Sequence, residues 1–252
     1  MNPSIKKITV AFSLLLLAQI SLAQNVNSLL NNVISKAQSL TNNKGNSAVN
    51  FNNTDAVAAL KEMLQTGSQN ASGKLSAVNG YLTNSLVKIL LPTEATKVEA
   101  TVRAIGLGNV ADKTILYMNR AAEDAASKAT PIFINAIKGM TIQDGIAIVK
   151  GGKGAATNFL KAKTTADLTT AFRPVIEKSL NQYNVATYWN QLFGLYNKLP
   201  TTKTPINSDL SAYVTERALN GLFLTISQEE DRIRTDPAAR VTALLQKVFG
   251  SK

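Results

Sequence analysis

A run of alanines on a helical period, over residues 109–140, constrains the fold of this chain more than any other feature. Apolar positions three and four apart form one stripe, which is typical of a helix that faces a protein core. Small residues fill the middle of the stripe, so we expect neighbouring helices to approach closely and the segment to lie at the centre of a helical bundle. The helix is expected to kink or restart at Pro131. The stripe comprises Ile115, Asn119, Ala122, Ala126, Ala129, Phe133, Ala136 and Met140.

Three polar residues interrupt this alanine-rich stretch: Asn119, Arg120 and Glu123. Their spacings of three and four place them on neighbouring faces of one helix. The simpler interpretation is an ion pair and an amide hydrogen bond that fix the register of the helices, because buried charges are usually paired. The alternative is a site for a ligand or a reaction.

A second acid extends an apolar row on a later helix. The row Val214, Ala218, Leu222 and Ile226 continues at the same spacing into Glu230 and Arg234. An acid in such a row needs a cationic partner, and Arg234, Arg120 and Arg240 are the candidates. We therefore predict one shared polar core, made of Asn119, Arg120, Glu123, Glu230, Arg234 and Arg240.

Glycines and threonines predict several helix ends. A helix is expected to begin at Thr54-Asp55 and to stop at Gly67. Residues 73–91 are expected to form brief helices or a short hairpin of strands.

Two threonines followed three residues later by an acid predict two further helix starts. Thr141 with Asp144 and Thr164 with Asp167 both have the capping-box spacing. Between them, residues 150–157 (KGGKGAAT) carry glycines of the kind that bring backbone N–H groups together on an anion. The spacing of a phosphate-binding loop is not met, so a tight turn between helices is favoured over a phosphate site.

Residues 1–23 have the pattern of a secretory signal peptide. Two lysines precede an apolar run over residues 8–20, and small residues at Ser21 and Ala23 predict cleavage after Ala23. The run is too short for a stable membrane span, so we expect no transmembrane span after its removal. An uncleaved anchor is the alternative. We expect an exported protein, in the periplasm or otherwise associated with the cell envelope.

The mature chain divides at an Asn- and Ser-rich stretch. Residues 24–53 are predicted to form one amphipathic helix and a flexible linker, and residues 54–252 a single helical domain with a sizeable core. Because the chain has no cysteine, packing alone must hold an exported domain together.

The charge of the chain is strongly positive, with a formal net value of +11. Twenty of the 27 basic residues are lysines, and aromatic residues do not interleave with them, which argues against a nucleic-acid partner. We expect an anionic component of the envelope instead, either lipid head groups or a glycan. The lysine-bearing surface between Lys128 and Lys163 is the predicted contact.

The absence of histidine and cysteine excludes several kinds of chemistry. Ser-His-Asp triads, cysteine nucleophiles and His/Cys zinc sites cannot form, and we predict neither a metal nor a cofactor. The remaining enzymatic alternative is a carboxylate-dependent hydrolase that uses Glu123 and Glu230 in an open cleft.

Five groups of residues, in order along the chain, resemble an uncharacterised bacterial family, domain of unknown function 4197. The resemblance covers about residues 56–250 and implies an exported helical protein, without any assigned catalytic, cofactor or binding residue. The groups are Asn119-Arg120-Ala121-Ala122-Glu123, Pro131-Ile132-Phe133, Ala155-Ala156-Thr157, Ala218 to Phe223, and the tail from Glu229-Glu230 to Val248-Phe249-Gly250.

These observations together predict an all-α protein, a single multi-helix bundle domain after a cleaved signal peptide. Its predicted role is that of a non-catalytic binding or envelope-support module.

Overall fold

The computed structural model describes residues 53–249, except 105, 107, 195, 199–205, 207 and 208. The predicted signal peptide and the Asn/Ser-rich segment of residues 24–53, apart from Asn53, lie outside the described residues. Over the described part the chain is all-α, as predicted, and contains no strand. The helices are α1 Asn53–Ser76, α2 Thr96–Ala104, α3 Gly108–Ala126, α4 Ala129–Lys138, α5 Ile142–Gly151, α6 Ala155–Gln182, α7 Val185–Phe193, α8 Leu210–Thr235 and α9 Ala243–Phe249. Short 3₁₀ turns occupy Thr93–Ala95, Tyr196–Lys198 and Pro237–Ala239.

Helix α3 lies at the centre of the bundle, where its alanines were expected. It packs against α1, α2, α6, α7 and α8, and α6 packs in turn against α8. The alanines on its inner faces are fully buried, which allows this close packing. The chain restarts as α4 after a short break, with Pro131 in the first turn of α4, where its missing N–H costs nothing.

The predicted end of α1 at Gly67 is wrong, because the helix continues to Ser76. Gly67 lies where α1 packs against α8, and a Cβ atom on it would make an ordinary van der Waals contact with Cβ of Glu229, at 3.5 Å. Glycine in a helix costs only about 1 kcal/mol relative to alanine, and packing against α8 compensates for it.

The predicted helix start at Thr164 is also wrong. Residues 155–182 form one helix, α6, and Thr164 lies inside it, 1% exposed. Its hydroxyl donates to the backbone oxygen of Leu160 at 2.7 Å, so it satisfies its hydrogen-bonding capacity within the helix and caps nothing. The capping box of Thr141 and Asp144 at the start of α5 is confirmed.

Residues 77–92, which we call the strap, link α1 to the first 3₁₀ turn without forming a helix of their own. Neither of the two predicted alternatives, brief helices or a short hairpin of strands, forms over residues 77–92. The strap begins with a tight turn at Asn79, whose φ is +69°, and Gly80. A Cβ atom on Gly80 would lie 2.4 Å from the backbone oxygen of Lys74, so only glycine fits against the end of α1.

By length and composition, no single helix in the described ranges qualifies as a membrane span, whereas α4 and α5 qualify only as a pair bent by 107°.

Candidate functional site

The hydrogen bonds distribute the six predicted polar residues over two networks rather than one shared core. Asn119, Arg120 and Glu123 on α3 hold the strap. Glu230 and Arg234 on α8 hold the turn before α6, and Arg240 lies beside them.

Glu123 binds the backbone of the strap. Its Oε1 accepts hydrogen bonds from the N–H groups of Tyr81 and Leu82, both at 3.1 Å. Its Oε2 accepts from Nη1 of Arg120 at 2.6 Å, and the same arginine reaches Oδ1 of Asn79 at 2.8 Å. Glu123 is 4% exposed. This carboxylate therefore satisfies two N–H groups that would otherwise be buried without a partner.

Asn119 binds one residue further along the strap on both sides of its backbone. Its Oδ1 accepts from the N–H of Ile89 at 2.8 Å, and its Nδ2 donates to the oxygen of Ile89 at 2.8 Å. Nδ2 also donates to the oxygen of Ile115 at 2.7 Å. The Asn119 side chain thus satisfies both backbone groups of Ile89, as a neighbouring β-strand would.

Two tyrosines complete this strap network, and the sequence patterns did not single them out for it. Tyr81, fully buried, donates to the oxygen of Ala218 at 2.8 Å, and Tyr213 donates to the oxygen of Leu90 at 2.8 Å. Burial, with the charge of Glu123, raises the pKa of the Tyr81 phenol far above its usual value, so the group stays a neutral donor. Tyr81 lies where the helical period is lost, so no pattern marked it as a core residue.

The second network surrounds Glu230, which is 2% exposed. Its Oε2 accepts from the N–H of Thr157 at 3.0 Å and from the hydroxyl of Thr157 at 2.7 Å. Its Oε1 accepts from the N–H of Gly154 at 3.2 Å and from Nε of Arg234 at 3.0 Å. We call these four residues the turn network.

The glycine-rich stretch is a tight turn between α5 and α6, as the sequence predicted. Its backbone does bind an anion, which is the carboxylate of Glu230. Gly152 and Gly154 have φ of +69° and +78°, which turns the backbone toward the start of α6. A helix N-terminus attracts negative charge because its first N–H groups are unpaired and its dipole is positive there. The carboxylate of Glu230 takes that place.

The two other predicted partners of Glu230 do not contact it. Arg120 belongs to the strap network, as described above. Arg240 donates from Nε to the oxygen of Ile233 at 3.1 Å and from Nη2 to the oxygen of Arg234 at 3.0 Å. It therefore caps the carbonyl groups at the end of α8. Nη2 of Arg234 also lies 3.0 Å from Oε1 of Glu230 but without hydrogen-bond geometry, so Nε makes the bond.

Neither acid is arranged for catalysis. Both carboxylates are buried, and both are bound by backbone N–H groups and an arginine. Neither lines the groove between the strap and α8, the pocket between α6 and α8, or the pocket formed by α4, α5 and α6. The hydrolase alternative gains no support from this geometry. Within the described ranges, no group of three or more acids is placed to hold a metal ion.

A different candidate site lies on the surface, at α5. Ile142 and Val149 are 54% and 48% exposed, and Ile146 between them is half-buried. Spacings of four and three put the three side chains on one face of the helix, and Lys150 continues the row beyond Ile146. We call these four residues the α5 face.

Comparison with known proteins gives one match. No curated protein and no solved structure matches the chain. The sequence model of a family described as "Protein of unknown function (DUF4197)" matches residues 50–250, which is most of the chain. That range contains both polar networks and the α5 face. The chain therefore belongs to the DUF4197 family of proteins of unknown function.

Proposed function

We propose that this protein is an exported, non-catalytic module that attaches to an anionic lipid surface of the cell envelope through the α5 face. The observation that carries the proposal is the exposed apolar row of α5 within a lysine-bearing surface. A helix that lies in a membrane interface has this combination of an apolar face and flanking cations.

The packing of α5 explains why its apolar row stays outside. The helix contacts α1 and α6, and it turns Gly145 and Ile148 toward them. A Cβ atom on Gly145 would lie 2.6 Å from Cγ2 of Val57, so the glycine lets α5 rest directly on α1. Ile142 and Val149 lie away from this contact. Isolated exposed apolar residues are ordinary, but an aligned row on one helix is typical of a contact surface.

The charge around α5 fits an anionic partner. Asp167 lines a surface pocket together with Lys163, so its charge opposes that of the lysine. From Lys128 to Lys163 itself the sequence has six lysines and a single acid, Asp144. That acid is engaged in the α5 cap, where it accepts from the N–H of Thr141 at 2.9 Å and from its hydroxyl at 2.8 Å. Lys153 is paired with Asp231 at 2.7 Å, so its charge is partly offset.

The expected affinity is modest. Each lysine near an anionic bilayer contributes about 1 kcal/mol, and fully burying a large aliphatic side chain contributes about 1.5–3 kcal/mol. Half-exposed Ile142 and Val149 can add only part of that amount. Attachment is therefore reversible and sensitive to salt. The export of the protein to such a surface rests on the signal-peptide pattern of residues 1–23.

Co-sedimentation with vesicles tests the attachment. The mature protein should bind vesicles that contain phosphatidylglycerol, bind phosphatidylcholine vesicles weakly, and detach as salt rises from about 0.1 M to about 1 M, where the Debye length falls from about 10 to about 3 Å. The double variant Ile142→Ser/Val149→Ser and the variant Lys150→Gln should each bind less. Val78→Ser and Val241→Ser are matched controls, because both valines are exposed outside α5.

Equal loss of binding in the control variants would contradict a role for α5. Binding to an acidic polysaccharide but not to vesicles would replace the lipid with a glycan. Export is tested separately: cell fractionation should find the protein outside the cytoplasm with Gln24 as its first residue, and a cytoplasmic chain with an intact N-terminus would contradict the proposal.

A further inference from the structure

The outer side of the strap and helix α8 enclose a groove of about 310 Å³, on which neither the family description nor the α5 proposal depends. Its volume is at the lower end of the roughly 300–1,000 Å³ that small-molecule sites occupy. We propose that this groove binds one single-chain anionic amphiphile, with its tail among leucines and its head group at Lys88 and Arg217.

The strap alternates between buried and exposed side chains at the groove. Val87, Ile89 and Leu91 point into the core, at 7% exposure or less. Leu86 and Leu90, between and beside them, are 65% and 56% exposed. Leu86 lies in the turn at residues 85–87, and Lys88 and Leu90 follow it as exposed residues. All three line the groove on its outer side.

Helix α8 forms the opposite wall with residues three and four apart: Tyr213, Arg217, Gly221 and Leu224. Leu224 is 42% exposed. Three of the eight large apolar residues that are exposed in the described part of the chain thus lie in this one groove. Such a concentration is typical of a binding site, because exposed apolar residues are otherwise scattered.

The groove is selective for negative charge. Lys88 and Arg217 line it, and no acid does. No acid in the described ranges lies within ion-pair distance of either cation. The guanidinium of Arg217 lies 5.3 Å from the ring centre of Tyr213, which holds it at the edge of the groove. A carboxylate or phosphate head group can accept hydrogen bonds from both side chains.

The strap network explains why the groove has a fixed shape. Asn119 binds both backbone groups of Ile89, and Tyr213 binds the oxygen of Leu90. These bonds hold the strap against α3 and α8 in the absence of a ligand. A preformed wall lowers the entropy cost of binding, and this gives the buried amide of Asn119 a role beyond folding.

The test uses dodecanoate below its micelle-forming concentration, with the mature protein. Binding is followed by calorimetry and by the fluorescence of Trp189, the only tryptophan, whose ring centre lies 5.7 Å from that of Tyr213 in the groove wall. We expect saturable binding of dodecanoate, and much weaker binding of dodecyltrimethylammonium, which has the opposite charge, and of acetate, which has no tail.

The double variant Lys88→Gln/Arg217→Gln should weaken dodecanoate binding about tenfold or more, since a lost charge-assisted contact corresponds to about that factor. Leu224→Asn should also weaken it. Lys113→Gln, an exposed lysine on α3, is the control and should bind as the unchanged protein does. All three altered groove residues are exposed, so the variants should keep the thermal stability of the unchanged protein.

Equal binding of the ammonium compound, or a groove variant that binds like the Lys113 control, would overturn the assignment. The Ile142→Ser/Val149→Ser variant separates this site from the α5 face. It should bind vesicles less and keep dodecanoate binding. The loss of dodecanoate binding in that variant alone would move the ligand from the groove to α5.

Discussion

Thr157 holds Glu230 by two hydrogen bonds to one carboxylate oxygen, 3.0 Å from its N–H and 2.7 Å from its hydroxyl. The two residues are 73 positions apart in the sequence. The contact joins the first turn of α6 to α8, the two longest helices of the described chain. Nε of Arg234 and the N–H of Gly154 bind the same carboxylate. Glu230 therefore satisfies N–H groups at the start of α6 that have no partner within the helix.

Replacing Glu230 with Gln should lower the free energy of unfolding by about 3 kcal/mol. Arg234 loses its counter-ion, and the NH₂ group of the glutamine faces N–H donors that the carboxylate now accepts from. Urea unfolding followed by circular dichroism measures the change. Glu216→Gln, at an exposed position of the same helix, should stay within about 0.5 kcal/mol of the unchanged protein. Equal effects of the two substitutions would show that the turn network contributes nothing to stability.

Replacing Asn119 with Ala should lower the free energy of unfolding by about 3 kcal/mol, since three hydrogen bonds of about 1 kcal/mol each are lost. Hydrogen exchange gives the local check: the amide of Ile89 should exchange faster in the variant. The control is Asn158→Ala at an exposed position of α6. If the Ile89 amide keeps its protection, the strap does not depend on Asn119.

Replacement by alanine at two glycines, Gly221 and Gly73, should change the stability of the protein in opposite directions. A Cβ atom on Gly221 would lie 2.9 Å from Cε1 of Tyr81 and 3.0 Å from Cβ of Val87, so Gly221→Ala should destabilise the protein by about 1–3 kcal/mol. A Cβ atom on Gly73, in α1, would meet nothing within 4 Å, so Gly73→Ala should stabilise it by about 0.5–1 kcal/mol. Thermal unfolding of both variants measures the difference, and a stabilised Gly221→Ala would mean that the strap can move away from α8.

Asp209 should make stability depend on acid pH. It caps α8 by accepting from the N–H of Ala212 at 2.9 Å, and this bond, followed by the bond from Arg173, lowers the pKa of its carboxyl below the usual 3.8. A lowered pKa in the folded state stabilises the protein above the unfolded value, and this contribution disappears as pH falls through the folded value.

The variant Asp209→Ala should therefore lose about 1 kcal/mol at neutral pH, with a smaller loss as the pH falls below 3.8. Asp209→Asn keeps a capping oxygen without an ionisable group, so it should retain most of the stability at neutral pH. Urea unfolding at a series of pH values measures both. A loss in Asp209→Ala that stays constant below pH 3.8 would contradict the assignment.

Sequence reasoning succeeded where one helix contains all the relevant information. The stripe of α3, the capping box at Thr141 and the pairing of Glu230 with Arg234 each depend on residues three or four apart. Local reasoning failed at Gly67, which was expected to end α1 but lies inside it, packed against α8. It also failed at Thr164, whose hydroxyl binds the backbone oxygen of Leu160 instead of capping a helix. The strap was also missed, since an irregular segment has no hydrophobic period to recognise.

The sequence by itself determined that the chain is helical, that it has acids in otherwise apolar rows, and that it carries an excess of lysine. Only the tertiary structure decided what those acids bind. The partners of Glu123 and Glu230 are mostly backbone N–H groups of Tyr81, Leu82, Gly154 and Thr157. Every residue except proline has a backbone N–H group. A pattern of side chains therefore cannot show which of these N–H groups bind a distant acid in the folded protein.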